Sequence, residues 1–201
     1  MEIRTATLAD LDAITAVEAA CFPAAEAATR EEFAGRLKHY ADHFWLLYEG
    51  ETLVAFVDGM VTDAPDLTDE MYADAALHDE GGAWQMIFGV NTLPEYRRRG
   101  LAEQLLRRAI ADARAQGRKG LVLTCKDRLV HYYAKLGFVS EGVSGSTHGG
   151  VVYAAHLLRR GPALAIRPGG WYNRTIPQGK IRRDAPGTAG KPAPGKRGTL
   201  C

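Results

Sequence analysis

The sequence predicts a mixed α/β domain: about seven mostly antiparallel strands flanked by about four helices. Three observations predict it. Short apolar runs of strand character alternate with longer stretches at helical spacing. Two of the runs, 84–93 and 121–125, are apolar almost throughout, as buried central strands are. Residues 44–61 hold two further runs around the turn Glu49-Gly50-Glu51, which is a hairpin signal.

Taken in order, residues 2–6 form a first strand. Thr7 and Asp10 suit a capping box for an Ala-rich helix that Pro23 stops. Thr29 and Glu32 make a second such box, ahead of Phe33, Leu37 and Tyr40 at helical spacing. The hairpin 44–61 follows. Residues 63–82 are polar, with one short helical stretch at 67–77, and read as a solvated acidic flap. Strand 84–93 ends at Pro94. Leu101, Leu105, Ala109 and Ala113 then share one face of a helix that Gly117 closes. Strand 121–125, helix 127–136 and strands 138–143 and 151–157 complete the domain.

The chain has 201 residues, 46% hydrophobic and 24% charged, as ordinary globular proteins are. A core of that size needs no disulfide or metal staple. No apolar run reaches the roughly 18 residues of a membrane span, and the N-terminus has no signal-peptide core. Cys21, Cys125 and Cys201 lack metal-ligand spacing and read as free thiols in a reducing, cytoplasmic setting.

A net charge of +1 hides an asymmetry. Residues 159–201 carry ten Lys or Arg and only Asp184 as an acid, giving +9, while the remainder sums to −8. That segment also holds 8 of the 22 glycines and 6 of the 9 prolines. Such composition buries too little apolar surface to offset ordering entropy. The expected division is a folded domain at 1–158 and a basic, disordered tail at 159–201. The tail's charge could engage nucleic acid, but beyond Trp171 and Tyr172 it has no aromatic interleaving, so a solvated extension is the expectation.

The segment richest in chemistry is Arg97-Arg98-Arg99-Gly100-Leu101-Ala102, set between strand and helix. A glycine turn entering a helix aims unpaired N–H groups at one point, and the helix dipole adds roughly half a positive charge. Gly100 leaves room for close approach. A pyrophosphate site and a solvated basic turn are both consistent with this pattern. The Lys-Ser/Thr ending of a Walker loop is missing, and so is the dinucleotide fingerprint.

Arg97-x-x-Gly100-x-Ala102 resembles the pyrophosphate element of the GNAT superfamily of acetyl-CoA-dependent N-acetyltransferases. Tyr133-Ala134-Lys135-Leu136-Gly137-Phe138 resembles a second element of that superfamily, in the expected order, and the resemblance spans 1–158. Cys21-Phe22-Pro23 with Glu26-Ala27-Ala28, Leu53-Val54-Ala55-Phe56, Leu67-Thr68-Asp69-Glu70 and Cys125-Lys126-Asp127 are similar to the arylalkylamine (serotonin-type) branch.

The resemblance implies a sheet splayed between its fourth and fifth strands, with acetyl-CoA in the opening. It implies that the pantetheine pairs with the backbone of Val90 and Thr92, and that a bulge at 91–94 forces the strands apart. The pyrophosphate would sit on Arg97, Arg98, Arg99, Gly100, Leu101, Ala102 and Glu103. An amine would attack the thioester, strand N–H groups would stabilise the oxyanion, and Tyr133 would protonate the thiolate. Core packing is the competing role for Tyr133, and Tyr132 and His131 are the alternative polar tips.

The general base departs from the branch's pattern. Its two strand histidines align with Met86 and Phe88, which accept no proton. Water chains, His148 and Glu26 are the substitutes. Phe22, Pro23, Trp84 and Met86, with Met60, would wall an apolar acceptor pocket; core packing is the alternative for each. Lys126 and Arg128 could meet CoA phosphates or face solvent, and Cys125 reads as a small core residue. The expected partner is a small amine, with no metal and no membrane, in a monomer or homodimer. Acetylation of protein N-termini and a non-catalytic CoA-binding module are the competing functions.

Overall fold

A computed structural model describes residues 1–144 and 155–161, with backbone alone for 155–158. His148 and the segment from residue 162 onward lie outside the described residues. The strands are β1 (Glu2–Thr5), β2 (Phe44–Glu49), β3 (Thr52–Asp58), β4 (Val61–Thr62), β5 (Trp84–Ile87), β6 (Gly89–Thr92), β7 (Gly120–Lys126), β8 (Val139–Val143) and β9 (Ala155–Arg160). The helices are α1 (Leu11–Cys21), α2 (Arg30–Tyr40), α3 (Asp69–Ala73), α4 (Leu101–Ala115) and α5 (Val130–Ala134). No helix among the described residues is long and apolar enough to cross a membrane.

The strands form two sheets, β1-β2-β3-β6 and β4-β5-β7-β9-β8, rather than the single seven-stranded sheet expected. All pairings are antiparallel except β5 with β7. Two expected strands are broken. Residues 53–61 divide at Gly59, and 84–93 divides at Phe88, so that β5 joins one sheet and β6 the other. β9 continues to Arg160, past the expected strand end at 157.

The second break has a local cause. Phe88 donates its N–H to the Asp58 carbonyl at 2.8 Å, while Gly89 is also the register partner of Asp58. Two residues thus oppose one, which is a β-bulge, and the strand turns toward a new partner. The bulge lies before the expected 91–94. Pro94 instead opens a short 3-10 turn.

Helical faces follow their periodicity. Leu11, Ile14, Val17, Glu18 and Cys21 are the buried stripe of α1, and Leu101, Leu105, Leu106, Ala109 and Ala113 that of α4. Thr29 and Glu32 exchange hydrogen bonds at 2.6 and 3.2 Å, completing the expected capping box of α2. The Thr7–Asp10 box forms too, on a 3-10 turn that leads into α1. One core cluster packs α1, α2 and α3 on one side of the sheets. A second packs α4 and α5 on the other. Segment 63–82 is not a solvated flap: Leu67, Met71 and Tyr72 are buried in the first cluster. Met71 and Tyr72 of its short helix turn in, while Asp63, Asp66, Glu70, Asp74, Asp79 and Glu80 are exposed.

Asp10 ties the N-terminal strand to its surroundings. It accepts from Arg4 at 3.0 and 2.5 Å, from the Tyr48 hydroxyl at 2.7 Å and from the Thr7 N–H at 2.8 Å. The Arg4 hydrogen bond, most of all, holds its carboxyl well below the usual carboxylate range. A depressed carboxylate contributes stability above its unfolded pKa and loses it as pH falls. Asp10→Asn should therefore cost about 1–3 kcal/mol at neutral pH. Its deficit in urea denaturation should shrink as pH is lowered from about 4 toward 2.

Candidate functional site

β5 and β7 pair in parallel as far as Ile87 and Leu123. Beyond that point β6 follows β3 while β7 follows β9, leaving a gap between 89–92 and 124–126. Backbone direction within the gap follows from strand alternation. Leu93 donates to the Val54 carbonyl at 3.0 Å, so Leu93, Asn91 and Gly89 turn their polar groups to β3. Val90 and Thr92 turn theirs into the gap. The Thr92 carbonyl accordingly accepts the Arg97 Nε at 3.2 Å and the Cys21 thiol at 3.3 Å.

One end of the gap leads to the start of α4. Arg98 has φ 64° and Gly100 φ 76°, both left-handed. The first bond within the helix runs from the Gln104 N–H to the Gly100 carbonyl, at 3.1 Å. The N–H groups of Leu101, Ala102 and Glu103 therefore have no partner inside the helix, and the dipole makes the spot attractive to anions. Arg97, Arg98 and Arg99 are exposed. Arg99 donates to the Glu95 carbonyl at 3.1 Å and stacks over Tyr96 at 4.7 Å. Glu103 is paired with Arg107 at 2.7 Å.

On the α4 face, Tyr133, Cys125, Leu101 and Val90 pack together. The Tyr133 ring meets Tyr132 edge-on at 5.1 Å and Phe138 at 5.9 Å. Burial pushes its phenol well above the usual value, so it stays protonated throughout the neutral range. Burial also pushes the Cys125 thiol up to about 11, which leaves it a poor nucleophile. Tyr132 is half-buried and His131 exposed.

The α1 face is different in character. Phe88 meets the Tyr72 ring at a tilt, 4.7 Å between centroids, and the Tyr72 hydroxyl lies 3.3 Å from Thr124 Oγ1. α3 thereby reaches across from β6 to β7. Met60 and Met86 are fully buried beneath. Arg36 and Asp58 form a buried ion pair at 3.0 Å, and Arg36 also donates to the Tyr72 carbonyl. Glu26, half-buried, pairs with Lys126 at 3.2 Å. Glu18 is buried and accepts the Ala28 N–H at 3.1 Å.

Several expected site residues do converge here: Val90, Thr92, Tyr133 and the turn 97–103 border one gap. Phe22 packs partly buried against the α1-face core, and Met86 lies within it. Trp84 is not brought to the gap. Trp84 pairs with Gly120 at the closed end of β5, under the Arg159 guanidinium at 4.6 Å. Strand alternation gave its face correctly, but face says nothing of distance along the strand. Pro23 is exposed. Glu18, Tyr72, Asn91 and the Arg36–Asp58 pair were not singled out from sequence. The one signal for the two charged helix residues was their place on the apolar stripes of α1 and α2.

His43, His78 and Glu80 bring three ligand-type atoms within 4.8 Å at the far end of β5. The Val61 N–H donates to His78 Nδ1 at 3.1 Å, which fixes the proton of the neutral ring on Nε2, facing Glu80. Arg118 takes the other Glu80 oxygen. This group is complete as a hydrogen-bond network and is a poor donor set for a cation.

Residues 11–138 match the model of the acetyltransferase (GNAT) family. Among solved structures the chain is similar to the GNAT-like decarboxylase GphF in complex with isobutyryl-CoA. The two are 25% identical over 80% of this chain and 99% of that one, with a TM-score of 0.70. The loading GNATL domain of CurA from Lyngbya majuscula is 18% identical over 80% of this chain and 96% of its own, with a TM-score of 0.71. The ribosomal-protein-S18-alanine N-acetyltransferase from Escherichia coli is 16% identical over 85% of this chain and 99% of its own, with a TM-score of 0.58. Comparison with curated proteins gives no match.

Two glycines at the gap should respond differently to a methyl group. A Cβ at Gly100 meets nothing within 4 Å, so Gly100→Ala should cost about 1 kcal/mol, from backbone strain alone. A Cβ at Gly89 would lie 2.5 Å from Asp58 Oδ1 and 3.0 Å from Asn91 Nδ2, groups that are fixed and buried. Gly89→Ala should cost at least about 2 kcal/mol more than Gly100→Ala in urea denaturation.

Proposed function

The chain belongs to the acetyltransferase (GNAT) family, and from that premise we propose that it moves the acetyl group of acetyl-CoA to a primary amine of a small molecule. The observation that carries this reading is the gap between β6 and β7. An extended pantetheine arm can add to β6 there like a missing strand, through Val90 and Thr92. The pyrophosphate then meets the N–H groups of Leu101, Ala102 and Glu103 and the charges of Arg97, Arg98 and Arg99.

In this reading the amine nitrogen attacks the thioester carbonyl carbon, and strand N–H groups facing the gap stabilise the oxyanion. The C–N bond forms, the C–S bond breaks, and the thiolate takes the Tyr133 phenolic proton. The other Tyr72–Phe88 side of the gap is aromatic and apolar, with Phe22 nearby, which suits a flat arylalkyl amine. Glu26 is already engaged by Lys126 in an ion pair.

One observation favours a second reading. The GphF and CurA structures superpose better, at TM-scores of 0.70 and 0.71, than the S18-alanine acetyltransferase at 0.58. The first of these is a decarboxylase bound to an acyl-CoA. In a reaction of that class a carboxyl-bearing acyl-CoA loses carbon dioxide, its bonding electrons pass into a thioester enolate, and a proton is then added at carbon. The same strand N–H groups would hold the enolate oxygen, and apolar Met86 and Phe88 would disfavour the charged carboxylate.

Thiol release with acetyl-CoA and a panel of tryptamine, phenylethylamine and peptides separates these readings from carbon dioxide release with malonyl-CoA. Turnover on aryl amines is expected. Turnover on peptides alone would make it a protein acetyltransferase, carbon dioxide release would select the second reading, and CoA binding without either would make it a binding module. Tyr133→Phe should lower kcat about 10²–10⁴-fold while leaving acetyl-CoA affinity nearly unchanged. Full activity of that variant would remove Tyr133 from the reaction.

A further inference from the structure

The acetyl-transfer reading leaves one proton without a destination, since Met86 and Phe88 cannot accept it. Among the described residues, Glu18 on α1 is the buried carboxylate beside the gap that has no ion-pair partner. Its neighbourhood is defined from four sides. Cys21, one turn further along α1, donates its thiol to the Thr92 carbonyl, a group the β-ladder leaves turned into the gap. That contact seats the Glu18 end of α1 against the lip of the cleft. From the α1–α2 loop, the Ala28 N–H donates to Glu18 Oε1 at 3.1 Å. From β6, the Asn91 amide lies close enough to favour the charged carboxylate, yet neither Asn91 Oδ1 nor Nδ2 makes a hydrogen bond of full geometry. From β3 and α2, Asp58 and Arg36 add opposing charges, but they are committed to one another at 3.0 Å. Arg97, near Cys21, is the remaining cation at this corner.

Asn91 is 1% exposed, and both ends of its amide lack a full partner. A buried amide in that state costs free energy unless something else binds it. It belongs to β6, the strand along which the acyl group would lie, and its amide neighbours Glu18. A primary amine, which both donates and accepts hydrogen bonds, has the complementary chemistry.

We propose that the Glu18 carboxylate takes the proton from the attacking amine, with Asn91 orienting that nitrogen. The assignment rests on the acetyl-transfer reading of the gap. Attack then comes from the α1 face, where Glu18 lies, and the thiolate departs on the α4 face, where Tyr133 lies. Base and acid thus stand on opposite sides of the plane holding the thioester. The amine loses one proton to Glu18, its nitrogen gains the acetyl group, and CoA leaves as the thiol with the proton of Tyr133. Burial pushes the Glu18 carboxyl up to about 7, which suits a base that must load and unload a proton near neutrality.

The test is kinetic and uses the full chain with acetyl-CoA and the best amine of the panel. Glu18→Gln keeps a carbonyl oxygen for the Ala28 N–H, so the loop bond survives while basicity is lost. Its kcat should fall about 10²–10⁴-fold, with acetyl-CoA affinity by calorimetry within about twofold of the unsubstituted protein. In the unsubstituted protein kcat/KM should rise through a limb centred near pH 7. That limb should vanish in Glu18→Gln, leaving only the rise of the free amine near pH ~10. Glu18→Asp should keep the limb, displaced, at reduced kcat; it decides the matter if the Gln variant does not fold. Near-normal kcat with an unmoved limb in either variant would overturn the assignment alone. An unsubstituted protein that binds acetyl-CoA but acetylates no amine would overturn the underlying reading and this assignment with it.

Discussion

The buried ion pair between Arg36 and Asp58 stands where the two sheets part, and the rest of the site depends on it. Asp58 ends β3 and faces two residues of the opposing strand, Phe88 and Gly89. Its carboxylate also takes a hydrogen bond from the Gly89 backbone. Arg36 arrives from α2, under Phe33 and Phe88, with its guanidinium about 5 Å from each ring. Breaking such a pair from one side typically costs about 3–5 kcal/mol, because it strands the remaining charge. The pair therefore fixes the bulge. The bulge sets which backbone groups of β6 face β3 and which face the gap.

This arrangement gives the cleft two unlike walls. The α4 wall carries a phenol and a thiol, both kept protonated by burial. The α1 wall carries carboxylates, an arginine and an amide among aromatic rings. A planar acyl group between them would be approached from one wall and would release its leaving group toward the other. The helix N-terminus at Gly100 lies outside this sandwich and can hold charge without disturbing it.

Much of the architecture was legible in the sequence because its signals were local. The stripe Leu101-Leu105-Ala109-Ala113 with Gly117, and the Thr29–Glu32 box, are written within one or two helical turns. The turn 97–100 and the Tyr133-to-Gly137 spacing are local too. What escaped was non-local. An apolar run such as 84–93 reads alike whether it pairs with one sheet or changes sheets midway, and only Asp58, far away in sequence, decides. Segment 63–82 reads as solvated because acids are spread along its whole length and half of its apolar residues are small alanines. Its burial comes from Tyr72 reaching Phe88 and Thr124. Glu18 and Arg36 look like ordinary solvated charges until a strand covers them.

The most direct measurement of the central claim is amide hydrogen exchange with and without acetyl-CoA. The account predicts that slowing on binding is concentrated at Val90, Thr92 and Leu101 to Glu103, whose N–H groups have no partner in strand or helix. Slowing that spared these amides, or that fell instead around His43, His78 and Glu80 at the closed end of β5, would contradict it.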